Sequence, residues 1–310
     1  MRNYVRVMLG RKSAHAPECF ANGYIGGDFG IAQNLSGRLP EEWRPFNKEF
    51  IPVFLAANLG KTKVAAGLSC GFLWTISKGL KKGDWVLCPD GEGSYRVGEV
   101  SSDYEYVAGG NLPHRRKVRW LEPAIQRSEM SEGLRNSTGA IGTVSNVSQY
   151  AEEIDRLMTG SSVATPTEDG AIVEDQATFV LEKHLEHFLV ENWKYTDLGR
   201  DFTILEEEGE IVGQQYPTDT GPIDILAISK DKKRLLVVEL KTGRASDAVV
   251  GQIARYMGYV REELAEDGQS VEGVIIALED DLRIQRALSV MNGVRFYRYQ
   301  ISFKLVPQTI

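Results

Sequence analysis

Two carboxylates and an ammonium interrupt the apolar runs of GPIDILAISKDKKRLLVVELKTG, residues 221–243. Asp224 breaks the first run, and Glu239 and Lys241 break the second. Side chains alternate along a strand, so Glu239 and Lys241 share one face while Leu240 takes the other. A symmetric hairpin turning between Asp231 and Lys232 sets Asp224 directly across from Glu239, with Cβ atoms about 4.5–5.5 Å apart. Like charges facing each other destabilise a sheet, and a divalent cation between them removes that repulsion. An all-oxygen donor set suits Mg²⁺ or Mn²⁺ better than zinc. Lys241 is then placed to position a water or to offset negative charge building on a phosphate. The competing reading is a surface hairpin with an ordinary Lys–carboxylate pair, but the flanks PIDIL and VVELK are too apolar for a well-solvated one.

The elements around the hairpin follow from periodicity. Residues 176–193 carry Leu181, Leu185 and Phe188 at helical spacing, with Phe179, Leu189 and Trp193 widening the face. Glu182 and Glu186, four apart, lie along that stripe, and either is a candidate to point inward. Ser246 is the expected N-cap of a second helix through DAVVGQIARYMGYVREEL, which carries Gln252 and Tyr256 as an i, i+4 pair. Pro217 and Gly221 mark a turn just before Asp224, with Asp219 read as a turn former. VEGVIIAL reads as a buried strand, and VRFYRYQISFKLV supplies one or two more. The whole is an α/β arrangement around a mixed sheet.

PID followed by ELK, a preceding helix with LEKHLE and a following QxxxY helix together resemble the PD-(D/E)xK nuclease superfamily. Within it, YPTDTGPIDILA, VVELKTGRASD and VGQIARYMGYV are most similar to the C-terminal nuclease domain of NucS-type (EndoMS) endonucleases, with RecB-type and Mrr-type nucleases further off. The resemblance covers roughly residues 174–300. It implies a restriction-endonuclease-like mixed sheet flanked by helices and Mg²⁺-dependent phosphodiester hydrolysis. In that pattern Asp224 and Glu239 are metal ligands, Lys241 is the catalytic lysine and Glu182 is the helix acid, with Glu186 as its substitute. Gln252 and Tyr256 match the motif that supports substrate and site.

Composition shifts near residue 160, where TGSSVATPTEDGAIVEDQ lacks any period and reads as a linker. The expected layout is a β-rich domain over 1–158, a linker over 159–175 and the nuclease-like domain over 176–310. In the first domain DWVLCP, SYRVGEV and RKVRWL read as strands, residues 65–80 as a helix, and SQYAEEIDRLM as a closing helix. LKKGDWVLCPDGEGSYRVGEV and the basic stretch PHRRKVRW resemble PUA-like modules found in front of restriction-type nucleases. That likeness implies a barrel-like module in which Trp74, Tyr104 and Tyr106 stack on a base while Arg115, Arg116 and Arg119 touch phosphates. The same aromatics also fit a plain β-sheet core, and His114 beside the arginines is a further candidate contact.

The bulk numbers set limits on the class. A chain of 310 residues with 42% hydrophobic and 25% charged residues fits two globular domains. Three scattered cysteines, Cys19, Cys70 and Cys88, give no disulfide framework or zinc finger, and no apolar run is long enough to span a bilayer. The expectation is a cytoplasmic protein with no membrane partner. Its net charge of −7 restricts any nucleic-acid contact to a local patch. The leading functional expectation is a metal-dependent DNA endonuclease of restriction or defence type, with base-modified DNA as one substrate class. A repair nuclease for mismatched or branched DNA and an inactive binding protein are the alternatives. Double-strand cleavage with one site per chain adds an expected homodimer.

Overall fold

The computed structural model describes residues 2–139, 142–159, 182, 184–207, 209–245, 247–280 and 282–300. The chain is mixed α/β and divides into two compact units, residues 1–169 and 170–310. Apart from Thr159, the expected linker over 159–175 lies outside the described residues, as do Phe179, Leu181 and Ser246. No described helix is long and apolar enough to cross a membrane.

The N-terminal unit is built on β1 (Tyr4–Val7), β2 (Tyr24–Gly27), β3 (Trp85–Pro89), β4 (Ser94–Tyr106), β5 (His114–Trp120), β6 (Ile125–Gln126) and β7 (Val144–Asn146). Their order is β2-β5-β4-β3-β1-β7, with β6 paired to β4. Alternation fills both faces of this sheet. Val5, Val7, Val86 and Cys88 enter one buried cluster, while Tyr4 and Leu87 enter another with Leu134 and Ile154. A third cluster joins the helices Trp43–Ala57 and Lys63–Trp74 through Phe46, Phe50 and Leu73. The expected β-rich module is present as a sheet whose edge strands β2 and β7 are not paired with each other among the described residues. Both faces are already covered, so burial is achieved without closure. The helix expected over 65–80 starts at Lys63, capped by the Thr62 side chain, and ends in a π-helical turn at Thr75–Gly79.

The C-terminal unit contains β8 (Phe202–Ile204), β9 (Glu206–Glu207), β10 (Glu210–Ile211), β11 (Gln214–Tyr216), β12 (Ile223–Ser229), β13 (Arg234–Arg244), β14 (Ser270–Glu279) and β15 (Val294–Arg298). The main sheet runs β11-β12-β13-β14-β15, with β8 also on β12. The β12–β13 pair is antiparallel, whereas β13–β14 and β14–β15 are parallel. The two parallel connections pass through the helices Asp247–Tyr259 and Leu282–Ser289. The first of these sits close on β14: a Cβ at Gly273 would meet Met257 Sδ at 2.6 Å. On the opposite face Ile225, Ala227, Leu236, Val238 and Leu240 form a core with Trp193 and Phe202. Helical residues 184–192 pack there through Leu185, Leu189 and Val190. Phe188, expected on that apolar face, is instead exposed. The helix is turned so that its buried stripe runs through the 185, 189 and 193 positions, and this rotation carries Glu186 inward.

Candidate active site

The hairpin is closed by Asp231, whose carboxylate accepts from Ser229 Oγ at 2.5 Å and from the Lys233 amide at 3.1 Å. Lys232 supplies the left-handed residue, φ 60°. From this turn the register runs Ile228–Leu235 to Ile225–Val238. One further step brings Asp224 beside Glu239, on the face away from the Leu236–Leu240 core. On its other edge β13 pairs Glu239 with Ile275 and Lys241 with Ala277.

Glu239 is 1% exposed. Its Oε1 accepts from Lys241 Nζ at 3.0 Å, and its Oε2 is buried with no hydrogen-bond partner among the described residues. Burial, and then the Asp224 charge, push the Glu239 carboxyl up to about 8. Burial alone would lower the Lys241 ammonium, but Glu239, Glu182 and Asp224 outweigh it and raise the value. Asp224 accepts from the Leu240 amide at Oδ2, 2.8 Å, and from Gln215 Nε2 at Oδ1, 3.0 Å.

Both helix carboxylates reach the site by different routes. Glu182 stands 3.8 Å from Lys241 Nζ. Glu186 is buried and accepts from Gln214 Nε2 at 2.7 Å and from Gln215 Nε2. Gln215 therefore spans Glu186 and Asp224, a role no sequence signal assigned to it. Two successive strand residues reach one carboxylate only because Gln215 takes φ 50° and breaks the alternation. Tyr256 is buried, takes a long hydrogen bond of 3.4 Å from Gln252 Nε2, and has its phenol raised chiefly by burial. Its hydroxyl would lie 3.0 Å from a Cβ at Gly221, which has φ 124°.

Residues 182–300 match the family model of the Endonuclease NucS C-terminal domain. The C-terminal unit is NucS-like. Endonuclease NucS from Methanocaldococcus jannaschii is 32% identical over 78 residues, which is 25% of this chain and 28% of that protein. A repair endonuclease from Pyrococcus abyssi superposes with a TM-score of 0.31 at 17% identity, covering 68% of this chain and 66% of that one. An EndoMS–dsDNA complex gives a TM-score of 0.33 at 15% identity, covering 68% and 62%. The chain thus spans little more than a quarter of the curated relative and under two thirds of these two structures.

The NucS-like unit offers a donor set that fits a hard divalent cation. Asp224 lies near enough for its charge to push the Glu239 carboxyl up, and one buried oxygen of Glu239 lacks a partner among the described residues. No cluster of three or more His, Cys, Asp or Glu side chains forms a ready metal cage among the described residues. A set of one or two carboxylates completed by water and substrate oxygens is the Mg²⁺ pattern rather than the Zn²⁺ one.

Residues 6–148 match a domain of unknown function, DUF8426, and the PUA-like likeness gains no support. Of the aromatic and basic residues singled out there, Tyr104 and Arg116 line a common concavity, while Trp74, Tyr106, Arg115 and Arg119 are not part of its lining. Alternation along β5 turns His114, Arg116 and Val118 inward. Arg116 is 3% exposed and donates to the carbonyls of Ser102 and Leu80 at 2.8 Å and of Ile76 at 3.3 Å. Arg115 lies over the Tyr24 ring at 4.0 Å and donates to Leu112 O, while exposed Arg119 pairs with Glu99. Trp74 stacks on Trp43 at 6.0 Å, and Tyr106 packs against His114. His114 is fully buried, between Ile31 O at 2.6 Å and the Tyr104 hydroxyl at 2.9 Å, and burial lowers its pKa.

Proposed function

We propose that this chain is a divalent-metal-dependent endonuclease that hydrolyses DNA phosphodiester bonds, with residues 1–158 selecting the substrate. The observation that carries the reading is Asp224 and Glu239 side by side on one face of the sheet, with Lys241 bonded to the buried Glu239. Asp224 and Glu239 would hold Mg²⁺ or Mn²⁺, which supplies Lewis acidity toward a phosphate oxygen and an attacking water. Lys241, kept protonated by three carboxylates, offsets the negative charge that grows on the phosphorus oxygens. Glu182 steadies that ammonium from the helix side. Gln252 and Tyr256 border the turn before Asp224 and support the substrate side of the site.

The substrate divides two readings. Restriction or defence cleavage, including of base-modified DNA, follows from a selecting N-terminal unit in front of a nuclease. Repair cleavage of mismatched or branched DNA fits equally well a chain whose C-terminal unit matches the Endonuclease NucS C-terminal domain. Plain, methylated, hydroxymethylated, mismatched and branched duplexes with and without Mg²⁺, cut by wild type and Asp224→Ala, separate them. Metal-dependent cleavage absent in Asp224→Ala supports the nuclease, and the preferred duplex names its class. Undiminished cleavage by that variant would sink the assignment of the site. An inactive binding protein instead predicts no Mn²⁺ binding by calorimetry. Sedimentation on uncut duplex reports whether two chains assemble, as double-strand cleavage with one site per chain calls for.

A further inference from the structure

A concavity of about 460 Å³ opens in the N-terminal unit, and its lining is basic although the chain is acidic. Lys78, Lys81, Lys82 and Arg116 face it against a single carboxylate, Asp103. The wall carrying the lysines begins in the π-helical turn Thr75–Gly79, a geometry often found at functional sites. Buried Arg116 fixes that wall by binding the carbonyls of Ile76 and Leu80, and it ties the wall to β4 through Ser102 O. Asp84 accepts from the Lys81 amide at 2.8 Å and pins the next stretch of backbone. The lysines therefore project from a rigid frame.

Their charges remain available. Lys81 Nζ donates only to the neutral Lys78 carbonyl, at 3.2 Å, among the described residues. Lys82 pairs with Asp103 and Lys78 with Glu41, but these carboxylates are 85% and 77% exposed, so both pairs open at little cost. Tyr104 also lines the concavity, and its hydroxyl is fixed between His114 Nδ1 and the Leu35 amide, which holds the ring in place. Ser77 adds a buried hydroxyl with no hydrogen-bond partner among the described residues.

Several ammonium groups around a hydroxyl and an aromatic wall match a phosphate ester, which keeps negative charge and presents several acceptor oxygens. We infer that this pocket binds the phosphate of a nucleotide unit, whether free or within a DNA strand. The inference rests on the N-terminal unit alone and stands apart from the nuclease reading.

The test uses the full chain in EDTA, so that no cleavage intervenes. Binding of dAMP is measured by calorimetry, and binding of a fluorescein-labelled thymidine dodecamer by anisotropy. Wild type is compared with the double variant Lys81→Glu/Lys82→Glu and with Lys230→Glu, an exposed lysine of the other unit, as a charge control. Both pocket lysines are exposed, so the fold tolerates the change, and matched thermal melts verify it. The double variant is expected to lose at least about tenfold in affinity while the control stays near wild type. Loss for dAMP identifies a nucleotide pocket, and loss for the oligonucleotide alone identifies a strand-backbone site. Affinities for both probes within about twofold of wild type, or an equal loss in the control, would overturn the proposal.

Discussion

Gln215 Nε2 lies 3.0 Å from Asp224 Oδ1, and the same nitrogen donates to Glu186. One amide therefore couples the inward helix carboxylate to the proposed metal ligand, and its strand register places it across from Asp224. Outer partners of this kind orient a ligand, and losing one typically costs 10–100-fold in metal affinity. Gln215→Leu should weaken Mn²⁺ binding by roughly tenfold or more, read by calorimetry, while the melting temperature changes little. Unchanged Mn²⁺ affinity would show that Asp224 is oriented without it.

Glu239 carries a pH signature in the metal-free chain. Its folded-state value of about 8 lies above the ordinary 4.5, so the folded state keeps its proton where the unfolded state has lost it. Its contribution to stability is full below 4.5, falls as pH rises from there to about 8, and is flat beyond. Thermal melts in EDTA should show that decline for wild type and a flatter profile for Glu239→Gln. Added Mg²⁺ competes with the proton, so its stabilising effect should grow with pH through the same window.

Lys241→Met keeps most of the side-chain stem and removes the charge. Cleavage should fall by about 10²-fold or more, since the ammonium acts on charge that develops in the transition state. Mn²⁺ affinity should hold or rise, because the cation leaving Glu239 no longer competes with the metal. Single-turnover kinetics beside calorimetry check both, and a parallel loss of metal binding would make the lysine structural.

Arg116 and Arg119 should differ sharply despite their shared stretch of sequence. Arg116→Met strands several buried carbonyls and should cost about 3 kcal/mol in denaturant unfolding. Arg119→Ala removes an exposed ion pair and should stay within about 0.5 kcal/mol.

The hairpin was readable because charge inside an apolar strand is conspicuous and a symmetric turn fixes its register. The observed pairs Ile225–Val238 and Ile228–Leu235 follow the expected arithmetic. The Gln215 clamp was not readable, since it depends on a positive φ that no residue type at that position announces. The basic stretch PHRRKVRW misled for the opposite reason. Charge alone suggested one exposed patch, whereas strand alternation buried Arg116 and turned its guanidinium into internal scaffolding. Helix rotation was half legible: Glu186 was already a candidate to point inward and is buried, whereas Phe188 looked apolar and inward yet is exposed.

β13 is paired on both edges, antiparallel to β12 and parallel to β14, and it carries Glu239 and Lys241 at its centre. The proposed chemistry is thereby built into the part of the unit that local fluctuation reaches last. Loops and edges that do not touch the site, unlike the kinked edge at Gln215, can drift in sequence without disturbing that floor. Inheritance within such a lineage would then be uneven, with the cutting step kept and the choice of what is cut renegotiated around it.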